Sequence, residues 1–175
     1  MKTFIGLGNP GKEYELTRHN VGFLVLDELA KRLETTFKSK RSIEALLAEG
    51  LMEDERVLLA KPQTFMNASG RSLMSIMSKY PVSIEDVTII YDDADLAFGD
   101  VRVKTGGGTA GHRGMASILS SLPKGTNVNR IRIGIGRPTH SDIPLDQFVL
   151  KSFTAEEQEA LPSIFETVIQ QIYAS

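Results

Sequence analysis

Cysteine is missing altogether from this chain of 175 residues. Its absence removes a thiolate nucleophile, a Cys-type zinc site and a thiol redox switch from consideration, and it fits a reducing compartment. Long apolar runs are missing too. The one at the N-terminus, Phe4 to Leu7, is cut short by Asn9-Pro10-Gly11, and no stretch approaches the roughly 20 residues of a membrane-spanning helix. The expectation is a soluble, cytoplasmic protein. Histidine is scarce, with His19, His112 and His140 the only three. Acidic residues are lacking from 101 to 141, a segment that carries seven basic side chains and leaves thirteen basic against twenty-two acidic residues elsewhere. Such a stretch is either solvated surface or a face for an anionic partner, and its length favours a phosphate-binding surface.

What is present is most distinctive at Gly6-Leu7-Gly8-Asn9-Pro10-Gly11, which ends an apolar run and is followed by His19-Asn20. The glycine spacing imitates a dinucleotide-binding loop, but the chemistry contradicts one. Such a loop opens a helix at once so that backbone N–H groups hold a pyrophosphate. Here Pro10 removes a donor, and the polar stretch Lys12 to Arg18 delays the first helical periodicity. The loop offers instead an amide, Asn9, a phenol, Tyr14, and an imidazole, His19, at the carboxyl end of a first strand, where open α/β sheets place their ligands.

Periodicity predicts strands at Lys2 to Gly8, Ile43 to Ala48, Arg56 to Ala60, Val87 to Tyr91, Val101 to Lys104 and Ile131 to Ile135. Helices are predicted over His19 to Leu33, from an Asn67 or Ser69 cap to about Lys79, over Gly114 to Leu122, and after a Thr154/Glu157 capping box. Val87 to Tyr91 is continuously apolar, as a strand covered on both faces must be. Arg102, Lys104, Arg130 and Arg132 are expected to project from neighbouring strands, and Pro138 to Pro144 forms a polar loop able to cover a cleft. The pattern is α/β: a single three-layer domain over residues 1–175, a mixed twisted sheet with helices on both faces.

If strand one lies near Val87 to Tyr91, Asp92 can accept a hydrogen bond from one ring nitrogen of His19 and stabilise the imidazolium formed when the other takes a proton. No serine stands in a nucleophile-elbow pattern, so the attacking group is water. Asn9 and Asn67 are available as oxyanion donors, or else hold their own turns. Phe65 either stacks on a base or ribose or belongs to the core. Asp92, Asp93 and Asp95 offer an alternative in which carboxylates hold magnesium, while Gly106 to Gly108 lacks the ending of a nucleotide-binding loop.

Taken in order, the Gly6 to Gly11 loop, Tyr14, Thr17-Arg18-His19-Asn20, Lys61-Pro62-Gln63-Thr64-Phe65-Met66-Asn67, Asp92-Asp93-Ala94-Asp95-Leu96, Gly111-His112 and Arg130 to Gly136 resemble the bacterial peptidyl-tRNA hydrolase family over nearly the whole chain. The resemblance implies a monomeric cytoplasmic esterase that cleaves peptide from the terminal ribose of tRNA, without metal or cofactor. By position it makes His19 the base, Asp92 its partner and Asn9 the residue that separates N-blocked from free aminoacyl ends. It gives Tyr14, Phe65 and Asn67 contacts to the tRNA end or the peptide backbone, and Lys104 and Arg132 the clamp for tRNA phosphates. Three positions depart from the family pattern. Arg113 stands where asparagine is common, and a guanidinium only donates; Tyr91 replaces a frequent histidine; and the chain stops soon after Ile172-Tyr173, which on this resemblance weakens contacts to tRNA or marks a truncation. A non-catalytic RNA-binding module is the rival expectation.

Overall fold

The computed structural model describes all 175 residues. Seven strands form one mixed sheet: β1 (Lys2–Gly6), β2 (Lys38–Lys40), β3 (Ala45–Met52), β4 (Glu55–Pro62), β5 (Val87–Asp93), β6 (Val101–Thr105) and β7 (Asn129–Gly134). Their order is β2-β3-β4-β1-β5-β7-β6. The centre is parallel, with β1 between β4 and β5 and with β7 beside β5. Antiparallel strands close both edges.

Alternation of side chains decides which helix covers which face. Phe4, Ile90, Ile131 and Ile133 point to one side and pack with Leu26 and Leu29 of α1 (Val21–Arg32). The last helix of the chain, numbered below, adds Val168 and Ile172 to the same cluster. Ile5, Ile89 and Tyr91 point to the other side, against Leu73 and Ile76 of α2 (Ser69–Lys79) and Met115 and Ile118 of α3 (Arg113–Ser120). All of β5 is buried because both faces are covered, which accounts for its unbroken apolar run. A short helix α4 (Leu145–Phe148) precedes the long α5 (Ala155–Tyr173), whose Thr154/Glu157 capping box forms as the sequence foretells.

Several boundaries differ from expectation for local reasons. β3 begins at Ala45 rather than Ile43 because Glu44 adopts a left-handed conformation, φ 53°, at the end of a 3-10 turn. The edge strand β2 escapes notice because it is three residues long and its lysines carry no apolar pattern. Neither Asn67 nor Ser69 caps α2: Ala68 holds the N-cap position with no side-chain hydrogen bond, and the Ser69 hydroxyl donates back to Met66 O at 2.7 Å.

The turn that precedes α1 is tied to the far end of the chain. Arg18 N donates to Lys151 O at 3.1 Å and His19 N to Val149 O at 2.9 Å. The Arg18 guanidinium lies 4.1 Å above the Phe148 ring and meets Glu157 at 2.8 Å, with side-chain exposures of only 7% and 18%. Glu157 Oε1 also accepts Thr154 N at 2.9 Å, so one carboxylate closes the α5 cap and neutralises a buried guanidinium. Glu157→Ala removes both at once and should lower unfolding free energy by about 3 kcal/mol, the scale for stranding one partner of a buried ion pair. Urea unfolding reads this as a shifted midpoint at unchanged slope, and a loss below about 1 kcal/mol would mark the pair as a surface one.

Candidate active site

The carboxyl ends of β1 and β5 lie side by side, and Leu7 N extends their pairing by donating to Ile90 O at 3.0 Å. The first turn of α1 presses directly onto this junction. Only glycine permits that approach at position 22, where a Cβ would stand 2.4 Å from Ile90 O and 2.7 Å from Leu7 N. The 3-10 turn Arg18–Asn20, which leads into α1, is thereby lowered over the end of β5.

His19 and Asp92, 73 residues apart in sequence, meet there: Nδ1 of the imidazole and Oδ2 of the carboxylate are separated by 2.8 Å. The other carboxylate oxygen, Oδ1, receives Nε2 of His112, also at 2.8 Å. Met115 N donates to His112 Nδ1 at 3.2 Å, which makes that nitrogen an acceptor and assigns the proton of a neutral His112 to Nε2. By the same logic His19 donates Nδ1–H, and its Nε2, with no protein partner, remains open to the cleft. Asp92 is 2% exposed. Burial opposes its ionisation, but the attraction of His19 and then His112, with hydrogen bonds from both rings, outweighs burial and holds the carboxyl far below the ordinary carboxylate range. His112 was not among the sequence candidates, although it was one of three histidines and stood beside a glycine-rich turn. Its role as the N-cap of α3 was the missing signal.

Around this chain lies a cleft of about 850 Å³. Asn9 is fixed in it by three bonds: its N–H donates to Asn20 Oδ1 at 2.9 Å, its carbonyl accepts Asn20 Nδ2 at 2.9 Å, and its side-chain Oδ1 accepts Met66 N at 2.7 Å. With Oδ1 occupied, Asn9 Nδ2 is the group left to donate into the cleft. Asn67 is exposed on the same rim. Phe65 is 51% exposed and so is not core; it stands at φ 59° and meets the Tyr14 ring edge-on at 6.4 Å. Tyr14 thus reaches the site through Phe65.

The opposite flank is cationic. Register sets Arg102 against Arg132 and Lys104 against Arg130 across β6 and β7. These four are not equivalent. Arg132 meets Asp93 at 3.2 Å, and Arg102 has Asp100 at 3.8 Å. Lys104 and Arg113, both exposed and lining the cleft, have no carboxylate within ion-pair distance. Arg130 is buried. Leu145, Val149 and Leu150 give the remaining wall an apolar character.

The three aspartates of the magnesium alternative do not converge. Asp92 is taken by two imidazoles; Asp93 meets Arg132 with one oxygen and accepts Asp95 N with the other at 2.8 Å; Asp95 pairs with Arg137 at 2.5 Å. Each carboxylate has its own partner, so the donor set does not fit that ion.

The peptidyl-tRNA hydrolase family profile matches residues 3–175. A peptidyl-tRNA hydrolase of Geotalea daltonii is 44% identical over 172 residues, covering 98% of this chain and 88% of its own length. One from Geobacillus thermodenitrificans is 47% identical over 171 residues, covering 97% and 88%. Among solved structures, peptidyl-tRNA hydrolase from Acinetobacter baumannii superposes with a TM-score of 0.87 at 35% identity over 95% of this chain and 83% of that one. A point mutant of it gives 0.91 at 34%, covering 99% and 87%. With a match that runs through nearly every residue, including those that build the cleft, this chain belongs to the peptidyl-tRNA hydrolase family.

Proposed function

We propose that this member of the peptidyl-tRNA hydrolase family cleaves the ester between peptide and the 3′-terminal ribose of tRNA with His19 as general base. The observation that carries the proposal is the His19–Asp92 contact, which commits Nδ1 and leaves Nε2 facing the cleft. A water O–H proton passes to His19 Nε2 while the water oxygen attacks the ester carbonyl carbon. The carbonyl oxygen takes up the negative charge and receives Asn9 Nδ2–H. Collapse breaks the bond from carbon to ribose oxygen, and the imidazolium proton goes to that oxygen, releasing a peptide carboxylic acid and a free ribose hydroxyl. Asp92, which stays ionised, stabilises the imidazolium between these steps.

Charge divides the cleft between the two halves of the substrate. Lys104 and Arg113, uncompensated, and Arg132 meet tRNA phosphates, whereas Leu145, Val149 and Leu150 face the peptide. Arg113 here adds a phosphate donor in place of the asparagine common in the family. Phe65, backed by Tyr14, and Asn67 contact the tRNA end or the peptide backbone on the remaining rim. No helix is long and apolar enough to cross a membrane. A monomer acting in the cytoplasm, where peptidyl-tRNA arises, is part of the same proposal.

Release of peptide from N-blocked aminoacyl-tRNA, with unblocked aminoacyl-tRNA as control and EDTA present, tests the mechanism. His19→Ala should lose on the order of 10² to 10⁴ in turnover, and full turnover by that variant would eliminate the proposed base. Lys104→Ala should weaken tRNA binding and make the logarithmic salt slope shallower by about 0.9, the effect of one phosphate contact; an unchanged slope would remove Lys104 from the clamp. Stability supplies a third test. Because the folded Asp92 carboxyl is held below its unfolded value of about 4, its ionised form stabilises the fold above that pH, and the contribution fades as pH falls towards the folded value. The stability advantage over Asp92→Asn, measured by urea unfolding, should therefore narrow below pH about 4, and a widening gap would contradict the placement of the charge.

A further inference from the structure

Arg130 is an anomaly among the cations of β7. It is only 2% exposed, yet no carboxylate lies within ion-pair distance of its guanidinium. Its Nε is buried without a hydrogen-bond partner. Directly across the ladder stands Lys104, a like charge. Burying a cation under these conditions is costly, and cross-strand like charges add to the cost. A neutral apolar residue would suit the strand better unless the guanidinium performs a task there.

Its contacts indicate the task. Nη1 donates to Gly108 O at 2.5 Å and Nη2 donates to Gly107 O, so a planar fork grips two successive carbonyls of the glycine-rich turn. Those carbonyls face inward because the turn runs through left-handed backbone, φ 75° at Gly106 and 100° at Gly107. Gly106 N is fixed to Val128 O at 2.9 Å, so the turn is held at its start by the backbone of the β7 approach and at its middle by Arg130. From Gly108 the chain has only Thr109, Ala110 and Gly111 to traverse before His112, and it does so with Ala110 itself at φ 47°, a conformation alanine adopts at a cost. His112 N then donates to Thr109 O at 2.9 Å. Tyr91, adjoining Arg130, completes the connection on the inner side by packing edge-on to the His112 ring at 4.9 Å.

We infer that Arg130 is a positioning residue for the reaction: by clamping the carbonyls of Gly107 and Gly108 it holds the 106–112 loop in the shape that delivers His112 Nε2–H to Asp92. The inference rests on the mechanism proposed above, since Asp92 matters there as the partner of His19. It assigns Arg130 to a different task from its neighbours on the same face, Lys104 and Arg132, which point at phosphates. Arg130 itself lies low on the wall of the cleft beneath the loop, 2% exposed, with both terminal guanidinium nitrogens committed to the loop carbonyls. Its charge is retained because two carbonyl dipoles and a fixed fork are what an irregular glycine turn requires; a lysine, with one compact ammonium, cannot span both carbonyls in the same geometry.

The test combines Arg130→Gln, His112→Ala and the double variant, with two readouts. In single-turnover release of peptide from N-blocked aminoacyl-tRNA, Arg130→Gln should cost about tenfold or more in the wild-type background, the scale of a supporting residue that lets a site shift. It should cost under about twofold once His112 is alanine, because both changes remove the same contact. The logarithmic salt slope of tRNA binding should stay as in wild type. In proton NMR, the downfield imidazole N–H of His112 bonded to Asp92 should vanish in Arg130→Gln while that of His19 persists. Should Arg130→Gln fail to fold, Arg130→Lys replaces it, with the same loss of the His112 signal expected. Persistence of that signal overturns the inference. So does an equal rate loss in both His112 backgrounds, or a salt slope shallower by about 0.9, which would make Arg130 a direct phosphate ligand. If His112→Ala alone turns over like wild type, His112 is removed from the mechanism, and the NMR signal still decides whether Arg130 positions its ring.

Discussion

A carboxylate buried between two imidazoles is the constraint on which this structure turns. Asp92 sits at the end of a strand covered on both faces, where an isolated charge would be untenable. It remains charged because His19 and His112 each donate an N–H hydrogen bond to one of its oxygens. The two rings come from unrelated parts of the chain, one from the turn that opens α1 and the other from the N-cap of α3. To bring them to one carboxylate, the fold must lower both helix starts onto the same strand end. Gly22 makes the first approach possible, and the glycine-rich turn shapes the second.

From this constraint the division of labour among polar residues follows. Asp92 occupies Nδ1 of His19 and leaves Nε2 as its single free ring nitrogen, so in the proposed mechanism the proton acceptor is set before substrate arrives. Asn9 is treated similarly: backbone and Asn20 consume every other polar atom, and its amide nitrogen is what remains. In both cases the chemistry is defined by what the scaffold has already used. The cationic flank reverses this logic. There Lys104 and Arg113 are left without carboxylate partners, so the positive charge on that wall of the cleft is uncompensated.

Legibility in the sequence was uneven for physical reasons. The α/β layering showed through because the alternation of Ile131, Ile133 and the unbroken Val87 to Tyr91 run are direct imprints of burial. His19, Asp92 and Asn9 could be singled out because each sits at a strand end or helix start, positions that composition and punctuation reveal. His112 was opaque because its local neighbourhood of glycines looks like flexibility alone and hides the helix start it caps. Arg130 was opaque for a related reason: an alternating Arg-Ile-Arg-Ile strand gives no hint that one guanidinium grips the carbonyls of a loop while the next meets a carboxylate. Pairings across the sheet, and not periodicity along it, decide such cases.

The backbone at Phe65 has a further consequence. A benzyl side chain held at φ 59° and ψ 160° is kept outward by the chain itself, with Met66 N anchored to Asn9 immediately behind it. Its ring is therefore presented to solvent with the Tyr14 ring edge-on beside it, and no rearrangement of the main chain is needed to expose it. The strain of displaying an aromatic face at this rim has thus been met already during folding.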